Sequence, residues 1–280
     1  MLIKNLLVNN SWNKKASILV PSIDAVAMHR VLDPRRDHSF APTLCALAIM
    51  TKAPRPGTVK TRLQPPLSPE EAAQLNVCFL RDIAAAIVSA GGESKGVGVF
   101  TPVGSEDDYV NVLPSDFVLI PQRGDSFGER LMNAATDLLH VGFESFCLIN
   151  SDSPTVTADA FRQAVVELQG ADNRIVLGPS DDGGYYLIGM RKAYRRLFED
   201  IVWSTERVFT QTLERARELT LSVRVLPKFY DIDDAMALRR LCGELLDGKS
   251  DDVAPATKEF VAGLVTRVGR ERFCPPSVSS

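Results

Sequence analysis

Three features of the sequence predict an α/β fold whose mainly parallel central sheet is covered by helices on both faces. Short, almost wholly apolar runs such as 44–50 (LCALAIM) recur along the chain. They are too uniformly apolar for strands with one wet face, and read as strands buried on both sides. Helical patterns lie between these runs, so strand and helix alternate. Several runs also stop abruptly at loops rich in glycine, proline and charge, the place where open parallel sheets bind ligands.

Residues 1–40 carry Lys4, Lys14 and Lys15 and a short apolar patch, Ile18 to Val20, that Pro21 breaks. A secretory leader needs a longer apolar core, so this stretch reads as an extension preceding a domain at 41–248. The first strand, 44–50, runs into a basic loop. Ser68-Pro69-Glu70-Glu71 then marks a helix start, with Ser68 as cap, Pro69 at the first position and Glu71 closing a capping box. That helix extends to Ala90 and stops at Gly91-Gly92. Further strands are predicted at 96–100, 117–121, 146–150, 174–178, 185–190 and 223–226, and helices at 128–139, 158–168, 205–218 and 235–246. The last stretch, 249–280, reads as one helix over 255–268 and a polar tail.

Bulk composition narrows the function classes. Over 280 residues the chain is 45% apolar and 24% charged with a net charge of −3, which gives no footprint for nucleic acid or an anionic membrane. The sequence holds no uninterrupted apolar run of about 18 residues, so no membrane span is expected. Cys45, Cys78, Cys147, Cys242 and Cys274 are scattered and odd in number, a pattern that fits reduced thiols in a cytoplasmic protein.

Chemistry-bearing residues follow the strands. In LINSDSPTV, Asp152 stands just past the end of the 146–150 strand. The loop TKAPRPGTVKTRL, after the first strand, holds Lys52, Arg55, Lys60 and Arg62, with Gly57 permitting a tight turn. Such a loop can cradle phosphate through side chains and backbone amides, although it lacks Walker A spacing. In PSDDGGYYLIGM, Asp181 and Asp182 precede Gly183 and Gly184, whose backbone can approach a ligand closely; taken alone, the two acids read as an ordinary turn pair. In YDIDDA, Asp231 and Asp233 alternate about Ile232 and in extended chain point to one side. Paired carboxylates repel unless a cation or proton separates them. With Asp152 they make an oxygen-rich set suited to Mg²⁺ or Mn²⁺. Asp234 reads as the cap of the following helix. His29, His38 and His140 fall in no motif.

At these residues the chain resembles the glycosyltransferase-like "transferase 1, rSAM/selenodomain-associated" family of the nucleotide-diphospho-sugar transferase (GT-A) superfamily. Six segments carry the resemblance in order: KAPRPGTVKTRL (52–63), QRGDSFGERL (122–131), NSDSP (150–154), GPSDDGGYYLIG (178–189), WST (203–205) and DIDDAMAL (231–238). The resemblance implies a Rossmann-like GT-A three-layer sandwich. It implies Asp152, Asp231 and Asp233 as metal ligands, and Lys52, Gly57, Lys60, Thr61 and Arg62 at the nucleotide phosphates. It places Gln122 and Asp125 near the base or sugar, and Asp182, Gly183, Gly184 and Tyr185 at the second substrate. Trp203 either stacks on that substrate or packs between helix and sheet. Two departures stand out. Gly57 is alone in a loop that nucleotidyltransferases fill with glycine, and Asp152-Ser153-Pro154 stands where glycosyltransferases carry DxD.

The expected function is therefore a divalent-metal-dependent transferase with a nucleotide-activated donor, glycosyltransferase-like with an NDP-sugar. The alternatives are nucleotidyl transfer from an NTP and a non-catalytic nucleotide-binding module.

Overall fold

The computed structural model of the protein describes residues 28–36, 44–170, 172–248 and 253–272. Most of the 1–40 extension, His38, Cys274 and the end of the polar tail lie outside these residues.

Why one strand is apolar throughout is explained by its position. β2 (Cys45–Lys52) runs in the middle of an eight-stranded sheet, and its side chains feed two separate cores. Leu47 and Ile49 face α1 (Pro69–Ala90) and α3 (Ala158–Leu168), where Ile83, Ile87, Phe161 and Leu168 pack. Ala46 and Ala48 face the opposite layer, where Leu131 and Leu138 of α2 (Phe127–His140) and Ala216 of α4 (Val208–Glu218) pack. A strand covered on both faces has no position left for a polar residue until its end.

Across the sheet the order is β1 (Arg30–Val31), β4 (Val118–Pro121), β3 (Ser94–Thr101), β2, β5 (Ser145–Ile149), β7 (Tyr185–Met190), β6 (Arg174–Pro179) and β8 (Ser222–Val225). Every neighbouring pair is parallel except those of β7, which is antiparallel to both β5 and β6. The chain between β6 and β7 is too short for a parallel crossover, so it turns back as a hairpin. The predicted α/β sandwich with a mainly parallel sheet is the observed fold.

Element positions match the expected ones closely. The capping box at Ser68 is present in both directions, with Glu71 N–H on the Ser68 hydroxyl and Ser68 N–H on the Glu71 carboxylate. α4 begins at Val208 rather than Thr205, because Ser204 sits at φ 62 and the chain turns before the helix can start. Within the stretch read as an extension, Arg30–Val31 adds an edge strand to β4 and Leu32 is buried. His29 is buried beside it, its ring nitrogens 3.2 Å from Phe117 O and 3.1 Å from Tyr109 O.

A third core joins α1 to α5 (Ala235–Asp247) and α6 (Pro255–Val268) through Phe79, Leu241, Leu245 and Leu264. Asp82 of α1 fastens α6 by accepting from Ala256 N–H at 2.8 Å and Thr257 N–H at 2.9 Å. By length and composition α1 could cross a membrane, but 61% of its most apolar window is buried within the protein. It is the helix on which both the sheet and the C-terminal helices pack.

Candidate functional site

The carboxyl ends of β2 and β5, the β6–β7 hairpin and the segment leading into α5 meet at one rim. Asp152 follows β5 and is tied to the α5 lead-in by the Ile232 N–H, which donates to Asp152 O at 2.9 Å. Lys60, in the loop after β2, reaches across to the same point. Its ammonium lies 2.5 Å from Asp152 Oδ1, 3.1 Å from Asp233 Oδ1 and 2.8 Å from Ile232 O. It also stands 5.2 Å above the Phe79 ring, and its side chain is only 4% exposed. Lys60 adopts φ 49, a left-handed conformation uncommon for a side-chain-bearing residue, so the loop is bent to place it.

Asp231 is engaged differently. Its Oδ1 accepts from Ser153 Oγ at 2.5 Å, Asn150 Nδ2 at 2.8 Å and Ser180 Oγ at 2.9 Å. Burial pushes its carboxyl up to about 6; the Ser153 hydroxyl opposes this, while the nearby Asp182 and Asp152 add to it. Asp234 accepts from Ala237 N–H at 2.8 Å and caps α5, as the sequence predicts.

Two cavities open on either side of this junction. The smaller, about 240 Å³, is lined by Lys52, Thr58, Lys60, Thr61, Arg62 and Asn76. Asn76 is 3% exposed and its side-chain oxygen has no hydrogen-bond partner among the described residues. The larger, about 850 Å³, is lined by Phe127, Asp182, Gly184, Tyr185, Trp203 and Glu206, with Asp231 also among its lining residues. Arg62, Ser151, Asp152 and Asp233 line both.

Most of the predicted site residues therefore meet here, with some exceptions. Gln122 lines neither cavity; its amide nitrogen donates to Thr51 O at 3.0 Å and Val99 O at 2.8 Å, bracing the ends of β2 and β3. Asp125 also lines neither, standing in the turn before α2 with its N–H on Glu129. Gly57 turns the basic loop at φ 72 without touching either space. Gly183 holds φ 86 and is pressed against the chain at Glu206, where a Cβ would come within 2.2 Å of the Glu206 carbonyl oxygen. Asp182 accepts from Gly184 N–H at 2.9 Å and keeps that turn closed. Trp203 is partly buried and packs against the core that α2 and α4 share with the sheet, and it also meets Phe127 edge-on at 4.9 Å on the wall of the large cavity. The sequence reading missed Ser153, Ser180, Asn76, Phe127 and Glu206. Ser153 lies inside the quoted NSDSP segment, but nothing local marks its hydroxyl as a partner of a residue far along the chain.

A divalent cation can be tested against these groups. Among the described residues, no set of three or more Asp, Glu, His or Cys side chains gathers at metal-holding distance. Asp152 and Asp233 nevertheless already share one cation, the Lys60 ammonium. Beyond the effect of burial, Asp182 and Asp152 stand close enough to Asp231 to raise its carboxyl. Two carboxylates completed by water and substrate phosphate fit Mg²⁺ or Mn²⁺ chemistry.

Comparison with known proteins bears on the fold. A candidate nucleotide-diphospho-sugar transferase from Desulfovibrio desulfuricans G20 superposes with a TM-score of 0.71 at 27% identity, covering 81% of this chain and 97% of its own. Further likenesses include a cytidylyltransferase from Leptospira borgpetersenii (10% identity, 84% and 99% covered, TM-score 0.48). Another is Rv0371c from Mycobacterium tuberculosis H37Rv in complex with manganese (15% identity, 71% and 98% covered, TM-score 0.43). The fold is that of the nucleotide-diphospho-sugar transferases, which bears out the transferase class. Residues 90–205 match the family described as an uncharacterized protein conserved in bacteria, DUF2064. No curated protein matches the chain in sequence.

Proposed function

We propose that this protein is a transferase using a nucleotide-activated donor, with the donor's diphosphate in the small cavity and the second substrate in the large one. The observation that carries this reading is Lys60, a nearly buried ammonium shared by Asp152 and Asp233 where the two cavities meet. Lys52, Thr61 and Arg62 bring further donors and positive charge to the small cavity. The unpaired amide of Asn76 adds a polar contact that a ligand could complete. Phosphoryl-bearing substrates need this combination, since positioning and charge neutralisation do most of the work on them.

Asp152 and Asp233 would hold Mg²⁺ or Mn²⁺, with Asp231 behind them, and the ion would neutralise the diphosphate as charge builds on it. The residues themselves do the rest. Lys60 and Arg62 grip the diphosphate, while Asp182, Gly184 and the aromatic wall orient the second substrate. In glycosyl transfer an acceptor oxygen bonds to the anomeric carbon. The carbon–oxygen bond to the diphosphate breaks, and the nucleoside diphosphate leaves with the electron pair. The resemblance to the glycosyltransferase-like family favours this version, in a cytoplasmic setting consistent with four buried cysteines that form no disulfide among the described residues. Nucleotidyl transfer is the second reading, favoured by the three cations at the small cavity, which suit a triphosphate.

A panel of nucleoside triphosphates and NDP-sugars, with Mg²⁺ or Mn²⁺ and a mixed acceptor pool, tests the reading. Release of nucleoside diphosphate from an NDP-sugar supports glycosyl transfer, and pyrophosphate from a triphosphate supports the second reading. Tight nucleotide binding without either product would leave a binding module and end the transferase proposal.

A further inference from the structure

The two cavities differ in charge, and the difference bears on what the larger one receives. Seven of its lining side chains are acidic and two are basic. Lys60 holds Asp152 and Asp233, and Arg62, the basic residue shared with the small cavity, stands 4.0 Å from Asp233 on that boundary. Asp181 is matched by Lys228 at 3.0 Å and Arg240 at 2.8 Å. Arg240 is further committed to Glu244 at 2.9 Å and lies over the Tyr230 ring at 3.7 Å, so it is not free to receive an anion. Asp234 is spent on its helix cap. That leaves Asp182, Glu206 and Asp231 facing the cavity with no ion-pair partner among the described residues.

The acids do not stand alone. Beside Glu206 the chain presents Trp203, whose ring meets Phe127 edge-on, and Phe127 is 47% exposed although apolar. The contact of Gly183 with Glu206, and the Phe209 N–H on Gly183 O at 2.8 Å, lock the acidic hairpin to the aromatic segment as one wall. An aromatic face flanked by carboxylates suits a ligand with C–H or cationic surface for the ring and O–H or N–H donors for the acids. It opposes a phosphate or carboxylate, because like charges set together raise the free energy of binding.

Resting on the transferase reading, we propose that the large cavity takes a second substrate rich in hydrogen-bond donors and without negative charge, recognised by Phe127, Trp203, Asp182 and Glu206. The nucleotide alone brings anionic groups, and they belong in the small cavity. Transfer onto a hydroxyl or amine follows more naturally from this arrangement than transfer onto a phosphate group.

The chain has two tryptophans, so in a Trp12→Phe background Trp203 is the sole indole reporter. Its emission is titrated with methyl α-D-glucopyranoside, glucosamine and glucose 1-phosphate. The neutral or the cationic probe should shift the emission, with glucose 1-phosphate at least about tenfold weaker. The stronger of the first two tells whether hydroxyls or an ammonium are sought. The Asp182→Asn/Glu206→Gln double variant keeps the hairpin's hydrogen-bond acceptor and should shrink the discrimination against the phosphate. Glucose 1-phosphate binding as tightly as the glucoside overturns the proposal, as does emission that neither uncharged nor cationic probe moves. Calorimetry with inorganic pyrophosphate on wild type and Lys60→Ala separates the two ideas. No pyrophosphate binding alongside a normal sugar response would remove the nucleotide reading and leave this one standing.

Discussion

The small cavity and the large one share Asp152 and Asp233 yet are built on opposite principles. The small one gathers its cations on one continuous stretch, Lys52 to Arg62, although the acids and the amide beside them come from elsewhere in the chain. The large one is assembled from segments far apart in the chain, among them the end of β5, the start of α2, the β6–β7 hairpin, the turn before α4 and the lead-in to α5. A contiguous loop can be rebuilt by small movements, whereas a wall made of packed segments transmits every misfit. Damage to the first should therefore act on affinity alone, and damage to the second on shape as well.

Removing Asp152 should have the largest effect, because it serves both. Asp152→Ala is expected to lower metal-dependent turnover by roughly 10²–10³-fold while the protein melts within a few degrees of wild type, read by product release and calorimetry. Next in size is Gly183→Ala. Its φ of 86 and the 2.2 Å approach of a Cβ to the Glu206 carbonyl oxygen both oppose a side chain. The backbone conformation alone should cost about 1–3 kcal/mol. Second-substrate binding should weaken while pyrophosphate binding in the small cavity persists; equal loss of both would show that the cavities are not separable.

The pH response provides a smaller and more selective test. Asp231 has a folded-state pKa of about 6, above the ordinary carboxylate value near ~3.9, so the folded protein holds this proton more tightly than the unfolded chain. The stability it contributes is fully present below about pH 4 and is lost as pH rises through 6, on the order of 2–3 kcal/mol. Asp231→Asn should flatten that part of the profile of melting temperature against pH. Mg²⁺ should stabilise the wild type more above pH 6 than below it. The smallest effect is expected for Gln122→Ala, about 1 kcal/mol of stability with unchanged nucleotide affinity. A selective loss of nucleotide binding would restore Gln122 to the base or sugar.

Much of this was legible residue by residue. Ser68 and Glu71 announce the start of α1, and Gly91-Gly92 its end, because capping is settled within four residues. Asp234 was readable as a cap for the same reason. The antiparallel setting of β7 was also open to reading, since the short stretch between 179 and 185 cannot hold a crossover. Gln122 shows the limit. A polar residue in a matching motif looks like a ligand contact, yet its amide nitrogen is taken by two backbone carbonyls that only the folded sheet brings within reach. Ser153, Ser180 and Asn150 were equally hidden, because their common partner, Asp231, is distant in the chain.

By itself the sequence determined the α/β architecture, the strand ends at which charged residues collect, and the cations of the β2 loop. Periodicity, capping and composition act over a few residues and leave their marks locally. Only the tertiary structure decided which acid meets Lys60, which is buried among hydroxyls, and which face an open cavity without a counter-charge. Those outcomes depend on distance and burial between segments far apart in the chain, and electrostatic energy is set by both.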